Sequence, residues 1–204
     1  MIEVEVIDDP AAATVALDPV RTRLLAELAK PASAAMLAER LSIPRQKITY
    51  HLRVLEAHHL VRETETRTWG GLRERLLVAS ADSYVVSPAA LGPLAADPAR
   101  STDRLSASYL IALAARVVRE VGSLLRRSED AQKKLPTLSL DAEIRFRSAA
   151  DRAAFTSELT ESVMTLAARY HDTATPGGRA HRLVIVAHPL PLEPEPEAKE
   201  TSCP

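Results

Sequence analysis

The sequence predicts an α+β fold: short helices closed by a β-hairpin, then one long helix, then a small β-α-β unit. Three observations lead to this. Apolar residues recur at helical spacing between residues 10 and 60 and again in two later stretches. Gly70-Gly71 separates two strand-like runs, a hairpin signal. From Leu138 to Phe146 apolar and polar residues alternate without interruption, the period of a strand with one solvated face.

In chain order, Ile2, Val4 and Val6 alternate with Glu3 and Glu5 and read as a short strand. Asp8-Asp9-Pro10 and Asp18-Pro19 each place an acid at a helix cap and a proline at the first helical position. Val20, Leu24, Leu25 and Leu28 then repeat at helical spacing until Lys30-Pro31. Ser33 caps a third helix over residues 34–41, with Met36, Leu37 and Leu41 inward. After Ser42-Ile43-Pro44 a fourth helix carries Ile48, Leu52, Leu55 and Leu60 on one side. Residues 61–68 and 73–79 are the strands flanking Gly70-Gly71, and Val85-Val86 adds a short third. Pro88, Gly92, Pro93 and Pro98 mark a linker.

The long helix spans residues 104–127, with Leu110, Leu113, Val117, Val121 and Leu124 in one stripe. The strand from Leu138 follows. Ser148-x-x-Asp151 resembles a capping box and opens a helix with Phe155, Leu159, Val163, Leu166 and Tyr170 inward. Pro176-Gly177-Gly178 breaks the chain, and residues 183–187 form a last apolar strand. Strand, helix and strand together are half of a ferredoxin-like fold. Two strands alone are marginal, so the N-terminal strand or a partner subunit is expected to complete the sheet. The expected organisation is a domain over residues 1–86, a linker over 87–101, a dimerisation or sensing domain over 102–188, and a disordered tail over 189–204.

Composition narrows the function. Among 204 residues 46% are apolar, but there are only one Trp, four Tyr and two Phe, so the core is built mainly from Ala, Leu and Val. The single cysteine, Cys203, excludes an intrachain disulfide and a thiolate metal cluster. The chain lacks about 18 consecutive apolar residues, so no membrane span is expected. Residues 1–10 carry Glu3, Glu5, Asp8 and Asp9, the wrong charge for a signal peptide, and a cytoplasmic location follows. Without a Gly-rich phosphate loop, a Gly-x-Ser-x-Gly elbow or a cysteine nucleophile, no enzyme and no cofactor are expected.

The net charge of -1 hides an uneven distribution. Residues 40–75 hold eight cations (Arg40, Arg45, Lys47, Arg53, Arg62, Arg67, Arg73, Arg75) and four acids, against three cations and seven acids in residues 1–39. A solvated helix and hairpin would account for that excess, and so would phosphate binding. Two helices joined by a tight turn and followed by a hairpin is the order of a winged helix-turn-helix. In that arrangement the second helix enters the major groove and presents its N-terminal residues to base edges.

The residues themselves carry a resemblance. Leu24-Leu25-Ala26-Glu27-Leu28, Met36-Leu37-Ala38-Glu39-Arg40-Leu41-Ser42-Ile43 and the run from Ile48 to Val61, with its His51-Leu52-x-x-Leu55 core, resemble the ArsR/SmtB type of winged-helix transcriptional repressor. The resemblance covers about residues 15–80. It implies a homodimer that releases or remodels operator DNA when an effector binds. Two departures stand out: Pro44 replaces the serine that often starts the recognition helix, and His59 replaces a glycine that would cap it in a left-handed conformation.

By position, Arg45, Gln46, Thr49 and Tyr50 are expected at base edges, and Lys47 and Arg53 at phosphates. His51 is either structural or a phosphate contact. Arg67, Arg73 and Arg75 flank the wing tip and add salt-dependent affinity, while Trp69 packs the wing or touches a sugar. The metal sensors of the resembled family need cysteine pairs or Asp/His pairs, and neither occurs. The long helix has no histidine, His58 and His59 point about 100° apart, and His171, His181, His188 and Asp172 are scattered around a loop.

The expected partners are therefore double-stranded DNA, a second copy through the long helix, and a small organic effector, with no metal and no membrane. The function expected is a sequence-specific DNA-binding transcriptional regulator, a repressor reading an inverted repeat as a homodimer. The other reading is a winged-helix protein-interaction module without specific DNA binding.

Overall fold

The computed structural model describes residues 2–69 and 72–191, apart from the side chains of Trp69 and Leu72. The Gly70-Gly71 turn, the role of Trp69, Cys203 and the expected tail from residue 192 onward lie outside the described residues. Helices and strands are mixed, as an α+β fold requires. The chain divides into two compact units, Met1–Thr137 and Leu138–Pro204.

The first unit opens with strand β1 (Ile2–Ile7), followed by helices α1 (Pro10–Ala16) and α2 (Pro19–Glu27). Both helices start as their Asp-Pro steps dictate. Asp9 accepts from Ala12 N–H at 2.9 Å, and Asp18 accepts from the N–H groups of Val20 and Arg21, each at 3.0 Å. Helix α3 (Ala34–Leu41) is capped by Ser33, whose Oγ accepts from Met36 N–H at 3.2 Å. Its end is closed by Ser42 in the left-handed region at φ 54°, with Ile43 N–H donating to Ala38 C=O at 3.2 Å. Helix α4 (Arg45–Ala57) has Pro44 at its cap position, with no side-chain cap bond. His59 does adopt the left-handed geometry, at φ 59°.

Strands β2 (Val61–Trp69) and β3 (Leu72–Ala79) form the hairpin, pairing from Val61↔Ala79 to Trp69↔Leu72 with a bulge between Glu63 and Glu65. Thr64 hydroxyl donates to Leu76 C=O at 3.2 Å beside that bulge. The short third strand is longer than its apolar pair suggested. It is β4 (Ala81–Val86), and it pairs parallel with β1. The core of this unit joins Leu24, Leu28, Leu37, Ile48, Leu55 and Leu60, all buried, to the inner faces of α1 and β3.

The expected linker is ordered into two 3-10 segments, Pro88–Leu94 and Pro98–Arg100, which pack against helix α5 (Ala107–Asp130). Helix α5 also lies on β1, so it packs within the first unit. The contact is made by small residues: Ala112, Ala115 and Gly122 are the buried positions of α5. Arg126 secures it by donating to Val6 C=O and to Asp8, the latter at 2.6 Å. The stripe Leu110, Leu113, Val117, Val121 and Leu124 lies on roughly the opposite side at 100° per residue. Its first three members are half-buried and its last two exposed.

A Cβ on Gly122 would sit 2.6 Å from Val6 Cβ and 2.7 Å from its Cγ2, a short β-branched side chain with little freedom to swing clear. Helix propensity favours alanine over glycine by about 1 kcal/mol, while overpacking costs about 1–3 kcal/mol. Gly122→Ala is therefore expected to lower the urea midpoint, despite its better propensity. A midpoint raised by the substitution would show that α5 does not approach β1 this closely.

In the second unit the only helix among the described residues is α6 (Ala149–Tyr170). Ser148 Oγ accepts from Asp151 N–H at 3.0 Å, while the Asp151 carboxylate takes Arg147 at 3.0 Å. Phe155, Leu159 and Val163 are half-buried, and Phe146 packs on Phe155 with ring centroids 5.4 Å apart. Leu166 and Tyr170, expected inward, are exposed. The two expected strands, residues 138–146 and 183–187, are a correction as well, for neither pairs with any described residue. A strand needs a neighbour for its ladder bonds, and the described residues supply none here.

Candidate nucleic-acid interface

Helix α4 has two faces set by its own sequence. Ile48, His51, Leu52 and Leu55 are buried against the core, so Arg45, Gln46, Tyr50 and Arg53 are turned outward. Arg45, Gln46, Thr49, Tyr50 and Arg53 line one shallow concavity on this outer side. Thr49 is half-buried and its hydroxyl donates to Arg45 C=O at 2.9 Å, which leaves its lone pairs outward. Lys47 is exposed beside them. Five of the expected base or phosphate contacts are thus brought together. Arg45, Lys47 and Arg53 form no ion pair with any described residue.

Backbone bonds fix the hairpin relative to α4. The connector before α3 adds a short bridge to β3, with Ala32 and Leu77 exchanging two N–H···O=C bonds of 2.9 Å. Ala79 N–H donates to Leu28 C=O, and Ser80 N–H to Leu60 C=O, each at 2.9 Å. Tyr84 hydroxyl also donates to Leu60 C=O, at 2.9 Å. Apart from the Tyr84 hydroxyl, these ties run through backbone groups near the hairpin base, where side-chain periodicity carries no signal.

The hairpin cations are not equivalent. Arg75 is held by Glu56 at 2.6 Å and by Glu63 at 2.7 Å, and these hydrogen-bonded carboxylates raise its pKa. Glu63 is in turn held below the usual carboxylate range by the Thr66 hydroxyl and then by Arg75. Arg67 is paired with Glu65 at 3.2 Å but is well exposed, so that pair is weak and exchangeable. Arg73 is exposed and makes no described ion pair. In the sequence Glu56 and Glu63 register only as local charge. Their partner comes from another element, 19 and 12 residues away respectively, beyond any local pattern.

His51, expected as structural or at a phosphate, is not on the outer face. It is buried, neither ring nitrogen has a hydrogen-bond partner among the described residues, and its ring meets Tyr50 edge-on at 5.3 Å. Its phase on α4 places it with Ile48, Leu52 and Leu55, which is why the phosphate role fails. Burial pushes its pKa below the ordinary imidazole value; the Asp18 carboxylate opposes this, and Arg21 and Lys47 reinforce it. An unfolded chain takes up the proton below about pH 6.5 while the native chain resists it. Stability should therefore fall as pH drops below that value, and above it His51 contributes no slope. Urea midpoints of the wild type and His51→Leu, compared between pH 7.5 and 5.5, should show a shallower dependence in the variant. Parallel profiles would count against this account.

Residues 16–64, which span α2, α3, α4 and the start of β2, match a family described as a helix-turn-helix domain. The chain thus carries a helix-turn-helix domain, which suggests a DNA-binding regulator. No curated protein matches the chain. Among the described residues, no helix is long and apolar enough to cross a membrane.

Proposed function

We propose that the protein is a sequence-specific DNA-binding transcriptional regulator of the ArsR-like winged-helix type, a repressor that binds an inverted-repeat operator as a homodimer. The observation that carries this reading is the outer face of α4, where Arg45, Gln46, Thr49, Tyr50 and Arg53 share one concavity. Arginine reads guanine and glutamine reads adenine through two bonds each. The β2–β3 hairpin acts as the wing, with Arg73 and an exchangeable Arg67 at phosphates. Arg75 serves instead as the clamp between α4 and the hairpin. Dimerisation uses the α5 stripe, whose Val121 and Leu124 are exposed. A two-fold axis then sets the recognition helices into successive major grooves about 34 Å apart. A small organic effector that favours one separation of those helices shifts operator affinity by its differential affinity for the two states. The reading involves no catalysis, cofactor or metal.

The test is selection of bound sequences from a random DNA pool by the full chain at about 150 mM salt, which suppresses non-specific phosphate binding. An inverted repeat with half-sites one helical turn apart is the expected result. If no sequence is enriched, with or without candidate effectors, the regulator reading fails. A protein partner bound with little salt dependence would then take its place.

A further inference from the structure

We infer that the second unit is built to be completed by a second copy of this chain, through antiparallel self-pairing of residues 141–147 about a two-fold axis at Ile144. Among its described residues this unit has no closed core: no residue of α6 is buried, and Leu138 and Leu140 are 80% and 89% exposed. Two segments with strand periodicity flank α6, yet neither joins a ladder to any described residue. Backbone donors and acceptors left in this way form a template for another strand. The Phe146–Phe155 contact shows which face of the first segment meets the helix. It is the even-numbered one, Leu138, Leu140, Ala142, Ile144 and Phe146.

The odd-numbered face identifies the occupant. Its charges run Asp141, Glu143, Arg145, Arg147, two acids followed by two cations. Such an order is complementary to itself when reversed. In an antiparallel pair centred on Ile144, Asp141 lies opposite Arg147 and Glu143 opposite Arg145, and each pair occurs twice. Moving the centre to Glu143 sets that carboxylate against itself, and moving it to Arg145 does the same for that guanidinium. Centring between two residues would set the apolar face of one copy against the polar face of the other. The register at Ile144 alone gives every charge an opposite partner, and like charges directly opposite are unfavourable.

The same register suits the rest of the unit. In a β-α-β crossover the two strands of each copy are parallel. A sheet with the two copies of residues 141–147 paired at its centre and residues 183–187 of each copy outside is therefore antiparallel at the central seam and parallel on either side of it. Both α6 helices then fall on the even-numbered face, where Leu138 and Leu140 are open. Arg147 is available for this exchange because its bond to Asp151 leaves its side chain 91% exposed.

Cross-linking of the full chain tests the register. In a Cys203→Ser background, Ile144→Cys puts a thiol on the two-fold axis. Opposed Cα atoms there are about 4.5–5.5 Å apart, within reach of a disulfide. Leu138→Cys puts the two thiols about 40 Å apart along the strands. Oxidation should join the first variant into a covalent dimer and leave the second monomeric. Adding Asp141→Arg with Glu143→Arg, or Arg145→Glu with Arg147→Glu, to Ile144→Cys should reduce cross-linking by about tenfold or more. Mixing the two charge variants should restore it, because each then meets its complement.

Absent cross-linking at position 144, equal cross-linking at 138, or indifference to the charge variants would overturn the inference. The readout needs neither DNA nor the α5 stripe, so its failure is separate from failure of the regulator reading.

Discussion

Replacing Arg45 and Gln46 together by alanine is expected to abolish sequence selection while leaving fold and self-association unchanged. Both side chains are exposed at the start of α4, and neither takes part in the buried face formed by Ile48, His51, Leu52 and Leu55. Their removal breaks no internal ion pair. Each two-bond base contact is worth about 1–3 kcal/mol of discrimination. Losing both should bring the selected operator close to the affinity of scrambled DNA. Lys47→Ala provides the contrast: loss of a phosphate contact weakens all sequences alike and lowers the salt slope by about one. Competition binding of operator against scrambled duplex measures both. An operator preference that survives the double substitution would show that the specific contacts lie elsewhere.

Leu37→Ala is expected to be the most destabilising of the single substitutions considered. Leu37 is fully buried and is the one residue of α3 that is, so it carries the packing of α3 against α4. Truncating a fully buried leucine costs about 2–5 kcal/mol, from lost transfer energy and from the cavity left behind. Domains of this kind have about 5–15 kcal/mol in total, so a large share of the stability goes. Leu41, half-buried on the same helix, should cost less when truncated. Chemical denaturation gives the comparison. A loss at Leu37 no larger than at Leu41 would mean that α3 is not anchored as described. DNA affinity should fall with stability, since α3 braces the helix that carries Arg45 and Gln46.

Much of the first unit could be read from local chemistry. Asp9-Pro10, Asp18-Pro19 and Ser33 each start a helix because a side-chain oxygen can satisfy N–H groups two or three residues on, which is a short-range event. The outer face of α4 was legible for the same reason: the phase of Ile48, Leu52 and Leu55 dictates which residues point away. The same phase sets His51 on the inner face, which decides between the structural and the phosphate alternatives that its residue type leaves open.

What escaped the sequence was long-range. The parallel pairing of β1 with β4, the Ala32–Leu77 bridge and the clamp on Arg75 each join residues whose partners are set by the path of the chain and not by any local period.

Helix α5 shows the division most plainly. Its sequence carries both an apolar stripe and a row of small residues, and periodicity favours the stripe because leucine and valine weigh more than alanine and glycine. The tertiary structure turns the small residues toward β1, since only they allow a helix so close to Val6. Residues 138–146 show the complementary case. Their alternation determines which side chains share a face, but pairing needs a neighbouring backbone, and none is found among the described residues. Local periodicity and capping were thus settled by the sequence itself. Which apolar face is covered, which cation is already engaged and which edge stays open were decided only by the fold, because each depends on a partner that arrives from far along the chain.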